Sequence, residues 1–393
     1  MEKNKNSWIG IAVIILVSTN LRAPITAVSP ILDEMKSILH IDNFQASLLT
    51  SIPLVVFAIF SILVSKATAK INIRHGLIYS LIILIIGIYV RVYGNISMLY
   101  IGSLLIGLGI CIGNVLTPAY IKNTFPAKIG IMTGIFSVSM SLIAALASGL
   151  SISIGKWTNL GWKGSLGIWI IGAILALIIV SIDSLKNKTV TQQKTVQSEN
   201  VKFNIFKSKQ AWNISVFMGL QSLIYYCLVA LFPTLLIDFG MTKTDAGWVF
   251  SVLQLAMLPA MFVSPILASR MKDPKVMIYI TSLLYFIGII SLIVFKSEFS
   301  YLSAILIGVA GGFAFSLSIL FFSLRSKTMA GTIKISGMAQ SIGYLIAAFG
   351  PPIFGKLNDL DSTWNSSLYF LIFCLIILTF FGIKASQPKF IED

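Results

Sequence analysis

Arg22 stands midway along an apolar run, in Asn20-Leu21-Arg22-Ala23-Pro24. At the centre of a membrane a guanidinium costs about 2.5–3.5 kcal/mol on insertion scales, so such a residue faces a polar cavity and has a partner. All fourteen acids fall in loops, tails or the ends of runs, with Asp33, Glu34, Asp183 and Asp238 the closest. Two readings of Arg22 follow. A substrate anion or polar group completes its coordination, because a guanidinium is a fixed fork of donors. Alternatively, carbonyls released near Pro24, or an amide such as Asn114, hold it as structure. Either way the chemistry is reversible recognition. The chain offers no nucleophile–base pair: His40 and His75 are unclustered, and Cys111, Cys227 and Cys374 lie separately inside apolar runs. No catalysis, metal or cofactor is expected.

Amides and tyrosines inside the runs complete the candidate set: Asn20, Asn114, Gln221, Tyr225, Tyr226, Gln254, Gln340 and Tyr344. Polar side chains in lipid-spanning helices turn inward, either to a neighbouring helix or to a ligand. Gln221 and Tyr225, four apart, share a helix face. Asn20 and Arg22, two apart, are about 200° apart around a helix and point to different sides. Taken singly, each is as well explained by an interhelix bond as by a ligand. Trp248 and Phe250, near one end of a run, read as core packing. The missing buried acid disfavours export of cationic drugs, which draws on such a group to carry a proton and attract the cation.

The elements that position these residues are membrane helices. Of 393 residues, 56% are hydrophobic and 11% charged, and the mean hydropathy is +0.91. Backbone polar groups in lipid must pair internally, and the runs are too long and uniformly apolar for outer-membrane strands. Twelve spans are predicted near 8–32, 44–65, 73–92, 97–121, 129–154, 162–183, 211–238, 244–269, 275–295, 300–323, 332–355 and 364–384. The first run passes beyond Arg22 and shows no small-x-small cleavage site, so it reads as a retained helix rather than a signal peptide. Pro24, Pro30, Pro53, Pro118, Pro233, Pro259, Pro265 and Pro351-Pro352 predict bends. Glycines at 102, 107, 109 and 113 in span four, and at 308, 311 and 312 in span ten, predict close helix packing.

The chain repeats itself. At an offset of 203, Pro30 meets Pro233, Leu32 meets Leu235, and Arg22 falls opposite Tyr225; Gly134 meets Gly337. This divides the protein into a half at 1–183, a polar, Lys-rich linker at 184–210 that reads as a tether, and a half at 211–393. Parallel six-helix repeats are the plan of a transporter that rocks around a mid-membrane site. The net charge of +15 is spread over short loops, which excludes a nucleic-acid surface. With the N-terminus inside, cytoplasmic segments hold 21 of the 29 Lys and Arg. Outside loops hold seven, among them Lys36, Arg91 and Lys163. Both termini are therefore expected in the cytoplasm. No G-x-x-x-x-G-K-[ST] motif occurs, so transport would run on gradients or passively.

The loop from Ser65 to Arg74 and its counterpart from Leu267 to Asp273 resemble the Gly-x-Leu-Ala-Asp-Arg-x-Gly-Arg-Arg loop of the major facilitator superfamily. The first lacks the family's Asp and both glycines. Four longer strings are more specific: Asn20-Leu21-Arg22-Ala23-Pro24-Ile25-Thr26, Gly113-Asn114-Val115-Leu116 with Pro118, Gly219-Leu220-Gln221-Ser222-Leu223 with Tyr225-Tyr226, and Ser336-Gly337-Met338-Ala339-Gln340-Ser341-Ile342-Gly343-Tyr344. Together they resemble the cyanate porter group, which includes bacterial cyanate and 2-nitroimidazole transporters, over essentially the whole chain. The resemblance implies an all-α, twelve-helix, major-facilitator-like fold and a monomer in the bacterial cytoplasmic membrane. It implies a small polar or anionic substrate near Arg22, and a gate involving Lys70, Arg74 and Arg270. The alternative is a multidrug exporter of neutral lipophilic compounds. A membrane enzyme would need buried His, Asp or Glu groups, which the middles of the runs lack, and neither an enzyme nor a receptor needs the repeat.

Overall fold

The structure, a computed structural model, describes residues 5–41, 43–68, 71–186, 203–271, 273–361 and 363–393; among these it is helical, joined by short turns. The N-terminal helices are α1 (Lys5–Asn20), α2 (Ala23–Thr26), α3 (Leu32–Leu39), α4 (Asn43–Thr68), α5 (Ile73–Tyr93), α6 (Ile96–Thr124), α7 (Ile129–Trp157), α8 (Trp162–Gly167) and α9 (Trp169–Lys186). The C-terminal ones are α10 (Lys209–Asp238), α11 (Lys243–Arg270), α12 (Lys275–Phe295), α13 (Ser300–Leu324), α14 (Met329–Asp361) and α15 (Asn365–Ala385). Two compact units emerge, Met1–Ala127 with Ile135–Phe203, and Lys128–Gly134 with Asn204–Asp393. The start of α7 thus groups with the second unit rather than with the expected first half. Most of the 184–210 tether lies outside the described residues.

Among the described residues, eleven stretches are long and apolar enough to cross a membrane. The first, Trp8–Ile31, covers α1, α2 and a 3₁₀ turn; its 24 residues extend about 36 Å, sufficient for a hydrocarbon core of about 30 Å. The twelfth expected span falls in α14. Its 33 residues are long enough, but its middle carries Ser336, Gln340, Ser341 and Tyr344, and Pro351-Pro352 follow. Polarity, not length, separates it from the rest.

Local chemistry fixes where these helices begin. Asn72 caps α5 by accepting from the Arg74 N–H at 3.0 Å, and Asn95 caps α6 by accepting from Met98 N–H at 3.0 Å. Ser208 caps α10, and Thr242 with Asp245 forms the equivalent at α11. Each supplies an acceptor to a backbone donor the helix itself leaves unpaired.

Small residues bring the helices together, and the two units do so alike. A Cβ at Gly107 on α6 would lie 3.1 Å from Pro53 Cα on α4. A Cβ at Gly308 on α13 would lie 2.3 Å from the Leu253 carbonyl and 3.0 Å from Ala256 Cβ on α11. Pro53 and Ala256 are related by the offset of 203 seen in the sequence, so the repeat extends to packing. Trp248 departs from expectation: it is 64% exposed rather than in the core. An amphipathic ring near a helix end suits a membrane interface.

Candidate substrate site

The first unit builds its polar centre on a break in the first span. Leu21 N–H donates to Ser18 O at 3.1 Å, a three-residue step rather than four, and Arg22 has φ −127° and ψ −43°. Pro24 has no N–H to continue the ladder. Helix resumes at α2, with Ile25 and Thr26 N–H donating to Arg22 O at 3.0 and 3.1 Å. Leu21, Ala23 and Pro24 are buried, while Arg22 is only partly so. The break thus separates buried apolar neighbours from a half-buried arginine.

Asn114 belongs beside this break. A Cβ on its neighbour Gly113 would lie 2.5 Å from Leu21 Cδ2, so this turn of α6 packs directly on the residue preceding Arg22. Asn114 itself is 8% exposed. Asn20 turns elsewhere: its Nδ2 donates to Leu16 O at 2.7 Å and to Gly172 O on α9 at 3.1 Å. That amide ties α1 to α9.

In the second unit, α10 and α14 meet at glycines. A Cβ at Gly219 would lie 3.0 Å from Ile346 Cβ and 3.2 Å from Gly343 Cα. This brings the turns carrying Gln221 and Tyr344 alongside each other. Gln221 Nε2 donates to Ser222 Oγ at 2.7 Å, and Gln340 Nε2 to Ser336 Oγ at 2.9 Å. The Tyr225 and Tyr226 rings meet edge to face, with centroids 5.5 Å apart. Gln254 sits half-buried on α11. Arg22 and Asn114 therefore belong to one unit, and Gln221, Tyr225, Tyr226, Gln254, Gln340 and Tyr344 to the other.

Of the gate candidates, Lys70 lies outside the described residues and Arg270 is exposed. Arg74 has a partner within its own unit: its Nε donates to Asp183 Oδ2 at 2.6 Å, and Tyr120 OH donates to the same oxygen at 2.9 Å. The guanidinium also lies 5.7 Å from the Tyr120 ring centroid. These contacts join α5, α6 and α9.

One cation was not anticipated. Arg91, expected in an outside loop, occupies the last turn of α5 and is 2% exposed. Its Nη1 donates to Pro24 O at 2.8 Å. The sequence signal was its place inside the predicted run 73–92, ahead of Gly94-Asn95.

A break in one span holding a guanidinium, inside a bundle of apolar helices built twice, defines the class: a multi-pass membrane protein of the transporter type. The sequence profile of the Major Facilitator Superfamily matches residues 9–351, and the chain belongs to that family. It is 37% identical to an uncharacterized transporter of Bacillus subtilis strain 168, covering 99% of this chain and 96% of the relative. It is 30% identical to the 2-nitroimidazole transporter of Escherichia coli strain K12, covering 98% and 97%. It is 24% identical to the cyanate transport protein of the same organism, covering 96% and 97%. These relatives place it with the cyanate porter group. Among solved structures, the fold is similar to that of the proton:xylose symporter XylE, with a TM-score of 0.77 at 13% identity, covering 98% of this chain and 97% of that one.

Proposed function

We propose that this chain is a secondary transporter for a small polar or anionic solute, cyanate-like or nitroimidazole-like. It works by alternating access in the bacterial cytoplasmic membrane, with both termini in the cytoplasm. The observation that carries this reading is Arg22 at the break of the first span, half-buried and adjoining the turn that holds Asn114. A guanidinium recognises a planar oxyanion or nitro group through paired donors. Similarity to the 2-nitroimidazole and cyanate transporters supports that class of solute. Asn114, Gln221, Tyr225, Tyr226, Gln254, Gln340 and Tyr344 orient the solute. Asn20 contributes structure, since its donor is engaged at Gly172. The protein acts as a monomer whose partners are its solute and the bilayer.

The test is thermal stabilisation of purified wild type and Arg22→Gln by cyanate, nitrate, small carboxylates, 2-nitroimidazole and lipophilic cations. A ligand at 100 times its dissociation constant stabilises the folded state by about 2.7 kcal/mol. Such a ligand should raise Tm by several degrees. The expected result is a shift with small anions or 2-nitroimidazole in wild type and none in folded Arg22→Gln. Equal shifts by lipophilic cations in both proteins, with none by the small solutes, would replace this reading with export of neutral or lipophilic compounds.

A further inference from the structure

We propose that Arg91 is a positioning residue for Arg22: it holds the broken first span in the shape that presents the Arg22 guanidinium. The inference rests on the reading of Arg22 as the solute anchor.

Three contacts carry it, all within the first unit. Arg91 Nη1 donates to Pro24 O at 2.8 Å, two residues beyond Arg22. In an unbroken helix that carbonyl would accept from Val28 N–H, but Val28 donates to Ile25 O instead, at 3.3 Å. Arg91 therefore supplies a donor where the break has shifted the ladder. Gly102 on α6 permits the approach from behind: a Cβ there would lie 2.5 Å from Arg91 N and 2.6 Å from Arg91 Cα. Break, guanidinium and glycine form one stack across the first span, α5 and α6.

The rest of the guanidinium argues against a role in stability alone. Arg91 Nε and Nη2 are buried and meet no acceptor among the described residues. An unpaired donor out of water costs free energy, and a buried charge without a counter-charge costs more. Replacing such a group with an apolar side chain of similar length removes that cost, against the loss of the one bond to Pro24 O. A residue that burdens the fold while fixing the carbonyl next to the proposed anchor fits the pattern of stability given up at a functional site.

This separates positioning from plain structure. Arg91→Met should leave the ligand-free Tm unchanged or higher. It should weaken 2-nitroimidazole binding about tenfold, within the range for coupled neighbours. Arg91→Lys, which retains a donor for Pro24 O, should recover most of that affinity. On an Arg22→Gln background, Arg91→Met should cause no further loss, because its effect passes through Arg22. The measurement is calorimetric titration of detergent-purified wild type and the four variants with 2-nitroimidazole, with nitrate and cyanate as parallel probes. The proposal is overturned if Arg91→Met binds like wild type while Arg22→Gln does not. It is equally overturned if the two losses add, or if Arg91→Met loses its fold and thereby proves structural. Should Arg22→Gln itself bind like wild type, the solute-anchor reading fails first and this one with it.

Discussion

Arg74→Leu should destabilise the protein by about 3–5 kcal/mol, the range for removing one partner of a buried ion pair. Asp183 is 2% exposed at the side chain, and its Oδ2 receives both Arg74 Nε and Tyr120 OH. Without Arg74 the carboxylate keeps the neutral Tyr120 donor and loses the cation bound to Oδ2. The reverse substitution, Asp183→Leu, should cost less. Arg74 is 12% exposed and stands at a helix end, where a long side chain reaches water. Substituting both residues removes the buried charges together, so Arg74→Leu/Asp183→Leu should be more stable than Arg74→Leu alone. Thermal unfolding of the three purified variants checks this order. A double variant less stable than either single one would mean that the pair gives net stability through geometry rather than mutual neutralisation.

The second large effect is expected at the glycine pair of α13. Gly308 and Gly312 are four apart, and Cβ atoms there would lie 2.3 Å from the Leu253 carbonyl and 2.5 Å from the Met257 carbonyl. Ala256 and Ala260 face them, with Cβ atoms 3.0 and 2.8 Å away. Small residues spaced by four on both helices let the backbones approach, and in lipid that packing is a main source of association. The obstacles are backbone atoms, which cannot rotate aside. Gly312→Val should therefore cost about 1–3 kcal/mol or more through overpacking. It should lower Tm and the yield of folded protein together. Gly247, where an added Cβ meets nothing within 4 Å, is the internal control: Gly247→Ala should be neutral or slightly stabilising. A Gly312→Val protein as stable as wild type would show that α11 and α13 can separate freely.

The helices were largely legible because the membrane leaves few options. An apolar run must pair its backbone internally, so its length sets the element: the predicted run 73–92 is α5 at Ile73–Tyr93, and 300–323 is α13 at Ser300–Leu324. The break at Arg22 was half legible, since Pro24 announced a missing donor without saying where the ladder would resume. Arg91 was obscured because a cation close to the end of a run is normally a loop residue or reaches out to water. Only the three-dimensional approach of Pro24 O and Gly102 turns it inward. Asp183 showed as an acid at a span end, but its partner Arg74 is 109 positions away in sequence, and no periodicity encodes that pairing. Asn20 was legible as a polar residue of the first span, whereas its bond to Gly172 needed the fold.

The most direct test of the central claim is uptake of labelled 2-nitroimidazole, competed by cyanate and nitrate, into proteoliposomes containing wild type or Arg22→Gln at equal density. The account predicts saturable, competed uptake by wild type and background uptake by Arg22→Gln in protein that remains folded. Uptake of lipophilic compounds at equal rates through both proteins, with no movement of the small polar solutes, would contradict it and leave Arg22 a structural residue of the first span.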